Sequence, residues 1–254
     1  MKQTRRDFIL EELNKNNEIR VSELIALLPD VSEMTIRRDL DFLAKKGFLI
    51  RTHGGAKVVP PSSDAPYDLD TRLTLNKTSK SIIAKQALSF IDNECSIFFD
   101  AGSTTLELAS IISNIKVHAI TNAPNISIEL IKNPDIQVIL LGGVLNKSTL
   151  SVAGAMPLQE LENLNIDIAF ISASGFSLAN GFTNAYADEC SLKQKVIRMA
   201  KHVIILLDLS KLNKVLPFTF AHLSDVNTII LNQIPPADVM DCIKQMNIRL
   251  IYPE

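Results

Sequence analysis

Residues 31–56 read VSEMTIRRDLDFLAKKGFLIRTHGGA, and the fold of the first 60 residues turns on this stretch. Ser32 stands where a helix cap is expected, ahead of a helix running to about Lys46 with Gly47 as its stop. Ile36, Leu40 and Leu43 recur at helical spacing and mark a core face. Met34, Arg37, Arg38, Asp41 and Lys45 fall on the opposite side, with Arg38 near its centre. Beyond Gly47, FLIRTH and AKVV flank Gly54-Gly55, a two-residue hairpin signal because both glycines can take positive φ. Upstream, Ile9 and Leu13 lie one turn apart, and Leu24, Leu27 and Leu28 mark a second short helix. Three helices and a hairpin outline a winged helix-turn-helix over residues 1–59.

The rest of the chain sets the context. It has 254 residues, enough for one or two domains, and its 46% hydrophobic and 21% charged residues exclude disorder and coiled coil. No apolar run approaches a membrane span, and acids follow the N-terminal apolar patch, so neither an anchor nor a secretion signal is expected. Three scattered cysteines predict no disulfide framework and fit a reducing cytoplasm; with the four histidines they show no metal-ligand spacing. No bound cofactor is expected. The formal net charge is −2, yet residues 37–57 hold Arg37, Arg38, Lys45, Lys46, Arg51 and Lys57 against only Asp39 and Asp41. A basic segment in a weakly acidic chain points to a local polyanion site. Arginine reads guanine edges bidentately and also holds phosphate, so paired arginines early in a helix suit a major-groove reader.

Residues 60–70, PPSSDAPYDLD, lack periodicity and read as a linker. From Thr71 to Glu254, strands expected at 96–100, 117–122, 137–143, 167–174, 203–208, 228–231 and 249–252 alternate with amphipathic segments. Continuously apolar strands separated by helices predict a mostly parallel sheet covered on both faces, an α/β domain. Small or polar clusters end several strands: Asp100 with Gly102 to Thr105, Thr121-Asn122, Gly142-Gly143, Gly175, and Lys211 after Asp208. Such ends share one rim, where ligands bind open α/β sheets. Gly102 lets backbone approach an anion, Ser103, Thr104 and Thr105 open a helix, and Lys211 offers a cation on the same rim. Asp100 is a carboxylate and suits ligand hydroxyls rather than phosphate. Asp167, Asp188 and Glu189 supply residue types for general acid–base chemistry, although carboxylates in a solvated loop or contacting ligand without chemistry are the simpler reading, and Glu189 is counted with the rim set.

The stretch Val31 to Ala56, with its TIRRDL core and HGGA wing, closely resembles the signature of the DeoR family of bacterial transcription regulators. DAGSTT, TN, GG, DIAFISASG, GFT and DLSK follow in order and resemble that family's C-terminal sensor domain, itself similar to ribose-5-phosphate isomerase. The resemblance implies operator-DNA binding through Ser32, Met34, Thr35, Arg37 and Arg38, and through the wing residues Arg51, His53 and Lys57. It further implies a phosphorylated-sugar effector over 71–254, a dimer or tetramer, and sensing rather than catalysis. The expected function is a repressor of carbohydrate-metabolism genes. An active isomerase carrying a DNA-binding appendage is the alternative.

Overall fold

Ser32 caps its helix through two contacts: its hydroxyl accepts the Thr35 amide at 3.3 Å and its carbonyl accepts the Ile36 amide at 3.1 Å. In the computed structural model, which describes residues 2–45, 48–58 and 69–253, the first of two compact units ends at Lys77. It contains α1 (Lys2–Asn16), β1 (Glu18–Arg20), α2 (Val21–Leu27), α3 (Glu33–Lys45), β2 (Leu49–Thr52), β3 (Gly55–Val58) and α4 (Leu69–Thr74). The expected stop at Gly47 and the linker through residue 68 lie outside the described residues; α4 occupies the linker's last two positions.

Ile9, Leu13, Leu24, Ile36, Leu40, Leu43 and Leu49 form one buried cluster, whereas Leu27, expected inside, is 48% exposed. The wing differs from the hairpin expected of it. His53 and Gly54 make the turn, Gly55 pairs with Thr52 inside the ladder, and neither glycine has positive φ. Gly55 is required by proximity instead. The strand β1 pairs along β3, and a Cβ on Gly55 would stand 2.0 Å from the Ile19 carbonyl oxygen.

Asp39 was counted among the acids of the basic segment, yet it is buried. Its carboxylate accepts from Arg5 Nε at 2.6 Å and from Arg6 Nε at 2.7 Å, both on α1, and the Arg6 guanidinium lies 3.7 Å from the centre of the Phe42 ring. One carboxylate thus clasps α1 to α3.

The second unit holds α5 (Lys77–Ala87), β4 (Ser96–Phe99), α6 (Ser103–Ile111), β5 (Val117–Thr121), α7 (Pro124–Leu130), β6 (Ile136–Leu140), β7 (Val144–Asn146) and β8 (Ser151–Ala153). There follow α8 (Ala155–Leu161), β9 (Ile168–Ser172), β10 (Gly175–Ser177), β11 (Gly181–Asn184), α9 (Ala187–Met199), β12 (His202–Leu207), β13 (Phe218–Ala221), β14 (Thr228–Leu231), α10 (Ala237–Gln245) and β15 (Arg249–Ile251). Seven strands make one parallel sheet in the order β15-β14-β12-β9-β4-β5-β6. They correspond to the seven expected strands. Side chains alternate between two cores: Phe98, Ile171, Ile205 and Ile229 pack with α8, α9 and α10, while Phe99, Phe170, Ile204 and Ile230 pack with α5, α6 and α7. Burial on both faces is why the strands read as unbroken apolar runs. The sequence reading did not foresee the β7–β8 hairpin or the antiparallel β10-β11-β13 sheet, whose Phe176 and Phe182 rings stack at 4.6 Å. Among the described residues, no helix is long and apolar enough to cross a membrane.

Asp39→Ala should destabilise the first unit by about 3 kcal/mol, the low end for a broken buried pair because Arg5 and Arg6 remain 16% and 18% exposed. Faster amide exchange along α1 is the readout; unchanged protection there would mean that the clasp holds nothing.

Candidate functional site

The outward face of α3 is built by subtraction. With Ile36, Leu40 and Leu43 buried, Met34, Arg37, Arg38, Asp41 and Lys45 are left exposed. Arg37 is held by Glu33 one turn earlier, at 2.8 Å from Nε and 2.7 Å from Nη2. Arg51, expected to contact DNA, lies 2.9 Å from the Asp41 carboxylate and donates to the Gly55 carbonyl at 2.7 Å, tying β2 to α3 and to the wing. Arg38 is exposed and makes no hydrogen bond or ion pair among the described residues. The Ser32 and Thr35 hydroxyls bond to each other at 2.9 Å. In the wing, His53 is exposed at the turn and Lys57 is exposed on β3. The face is cationic, with one unengaged guanidinium at its middle.

The second unit has its switch point between β4 and β9, where successive connections leave in opposite directions, and there the strand-end residues converge. Asp100, just past β4, is 1% exposed. Its Oδ2 accepts from the Ser172 amide at 2.9 Å, the Ser172 hydroxyl at 2.8 Å, and the Lys193 ammonium of α9. The Lys193 Nζ also donates to the Ser172 carbonyl at 3.0 Å. So Asp100, assigned to ligand hydroxyls in the sequence reading, is engaged in an internal ion pair.

Gly102 meets this cluster at close range. Its φ of −174° is ordinary extended backbone, but a Cβ there would come within 2.3 Å of Ser172 Oγ. It precedes α6, which Ser103, Thr104 and Thr105 open. The Thr105 hydroxyl is turned inward, donating to the Asp100 carbonyl at 2.6 Å, whereas the nearly buried Ser103 and Thr104 hydroxyls make no such bond among the described residues. On the next strand, Thr121 donates to the Phe99 carbonyl at 2.7 Å, and Asn122 accepts the Ala101 amide at 3.0 Å while donating to the Val152 carbonyl at 3.2 Å. Val152 in turn lies against Gly143, whose φ of 141° favours glycine; the Gly142 amide donates to Glu160 at 2.8 Å. These residues form one connected rim.

The remaining candidates sit around it. Glu189, one turn before Lys193 on α9, is buried and accepts from Thr149 at 2.6 Å, from Ser151 at 2.5 Å and from Asn184 at 2.9 Å. Gly175 begins β10, where a Cβ would meet the Lys214 carbonyl oxygen at 2.4 Å. Lys211 is half-buried, ending the short turn that leaves β12, two strands from β4. At about 4.8 Å per strand that is roughly 10 Å across the rim. Burial pulls the neighbouring Lys214 ammonium below its usual range. Sequence reasoning missed Lys193, Ser172 and Asn184; the four-residue step from Glu189 to Lys193 was the available signal.

Two candidate acids are elsewhere. Asp188 is exposed at the start of α9. Asp167 precedes β9, at the opposite end of the strands from the rim; the Lys201 ammonium at 2.8 Å and the Ser96 amide and hydroxyl hold its carboxyl down to about 2. Burial pushes the Cys190 thiol up to about 11.

Residues 75–233 match the family model for the DeoR C-terminal sensor domain, and residues 5–61 that for the DeoR-like helix-turn-helix domain. An uncharacterised helix-turn-helix transcriptional regulator of Haemophilus influenzae is 34% identical over 247 residues, covering 97% of this chain and 95% of its own. The transcriptional repressor GlcR of Bacillus subtilis is 30% identical over 246 residues, 97% of this chain and 94% of its own. Among solved structures, ribose 5-phosphate isomerase A of Methanocaldococcus jannaschii aligns with TM-score 0.41 at 18% identity, over 55% of this chain and 56% of that one.

Lys193→Met strands a buried carboxylate and should cost about 3–5 kcal/mol in urea denaturation, with Asp100→Asn in the same chain restoring part of it. A single variant as stable as wild type would mean that the ion pair does not hold the rim. Asp167 titrates lower in the folded chain than unfolded, so its contribution is full above about pH 4 and is lost as pH falls towards 2. Asp167→Asn should therefore be less stable than wild type at pH 6 and converge with it near pH 2.

Proposed function

Because the chain belongs to the DeoR family of transcriptional regulators, we propose that it represses carbohydrate-metabolism genes and releases its operator when a phosphorylated sugar binds the strand-end rim. The observation that carries the DNA half is the outward face of α3, where Arg38 stands unengaged between Met34 and Lys45. Ser32, Thr35, Arg37, His53 and Lys57 flank it and suit phosphate contacts, while Arg51 holds the wing in place. The repressor sign is supported by the name of the Bacillus subtilis relative.

The effector half rests on the rim. The start of α6 presents backbone amides beside Ser103 and Thr104, and Lys211 supplies a cation about 10 Å across it, a span that a phosphate and part of a sugar chain fill. Asp100 and Lys193 act from below as a buried support. The acids support sensing without turnover: Asp167 lies at the far ends of the strands, Asp188 is exposed, and Glu189 already accepts three hydrogen bonds. A homo-oligomer acting in the cytoplasm completes the reading, because one small winged helix makes too few base contacts for strong specificity and paired half-sites double them.

A fluorescence-anisotropy titration of operator DNA against a panel of phosphorylated sugars tests it. One sugar phosphate should weaken the complex, as an effector can only do by binding the two states differently. Lys211→Ala should keep operator affinity and lose the response. If that variant dissociates at the wild-type effector concentration, the anion is held elsewhere; turnover of any sugar in the panel would instead favour the isomerase.

A further inference from the structure

The three arginines of the DNA-facing segment are chemically alike but differently placed. Arg37 is drawn along the helix flank by Glu33, and Arg51 is fixed by Asp41 and the Gly55 carbonyl. Only Arg38, among the three, leaves its whole fork available among the described residues. One turn earlier on the same outward face, Met34 is 62% exposed, an unbranched apolar side chain directed away from the core cluster of Ile36, Leu40 and Leu43. The polar groups beside it, the Ser32 and Thr35 hydroxyls, are occupied with each other. The centre of the first two turns therefore offers one bidentate donor and one apolar tip.

We propose that α3 reads a guanine through Arg38 and, one or two base pairs away, the methyl group of a thymine through Met34. The inference rests on the reading that α3 enters the major groove. There guanine alone presents two adjacent acceptors, N7 and O6, which match the guanidinium fork, and the thymine C5-methyl is the apolar projection available to a thioether. Four residues of helix rise about 6 Å, and stacked base pairs about 3.4 Å each, so the two side chains fall one to two steps apart. Arg37, with its charge shared by Glu33, suits the phosphate rail and carries no base preference. Specificity at the centre of each half-site then comes down to two side chains in an i, i+4 column.

The test uses the full-length protein. Duplexes selected from a random-sequence pool should contain a guanine with a thymine one or two base pairs away in each half-site. Replacing that thymine by deoxyuridine removes only the methyl group. It should weaken wild-type binding about fourfold, the value of one buried methyl, and leave Met34→Ala unchanged. Replacing the guanine by 7-deazaguanine should weaken wild type about tenfold or more, whereas Arg38→Ala, which removes every donor, should bind both duplexes alike. Half-sites without that pair, indifference of wild type to deoxyuridine, or a guanine preference surviving in Arg38→Ala would each overturn the assignment. The last result would place Arg38 on phosphate. Failure to select any duplex would overturn the DNA-binding reading and this assignment with it.

Discussion

The C-terminal unit depends on an ion pair that water does not reach. At the point where β4 and β9 send their connections apart, Asp100 at the end of β4 meets Lys193 of α9. Removing both charges from water is expensive, so the pair persists only with every remaining lone pair and proton satisfied. The surroundings supply much of this, most of it around one carboxylate oxygen, Oδ2. Ser172 donates twice to the carboxylate and accepts from the ammonium, while Thr105 fixes the Asp100 carbonyl. Gly102 must be glycine because any side chain would displace Ser172 from that role. The composition of the rim follows from this requirement before any ligand is considered.

The N-terminal unit solves a related problem with the opposite distribution of charge. Two arginines of α1 surround Asp39 and hold α3 from behind, leaving its front cationic. A residue that counts against the basic balance of the segment is thus turned inward, where it costs the outer face nothing. The same logic separates Arg37 and Arg51 from Arg38: the first two are oriented by carboxylate partners, and the third keeps its guanidinium exposed.

What the sequence revealed and what it hid follow physical lines. The seven strands of the parallel sheet were legible because both their faces are buried, which forces unbroken apolar runs such as VIILL. The three strands Gly175–Ser177, Gly181–Asn184 and Phe218–Ala221 were not, being three or four residues of mixed glycine, phenylalanine and hydroxyl residues that find their register only against each other. Lys193 was hidden among the charged residues of ADECSLKQKVIRM, where nothing local separates a buried lysine from solvated ones. The wing glycine was found for the wrong reason: Gly55 answers to the nearness of β1, a contact between distant segments that no turn rule encodes.

The strand order carries a consequence in time. Asp100 waits for Ser172 and Lys193, which lie 72 and 93 residues further along the chain. At roughly 5–20 residues per second on a ribosome, the nascent β4 spends about 4 to 14 seconds or more beside β5 with its other edge unpaired. During that interval the carboxylate at the end of β4 is hydrated and charged, a gatekeeper against pairing with a neighbouring chain. The group that becomes the most deeply buried charge of the sheet is, until α9 emerges, what keeps that strand soluble.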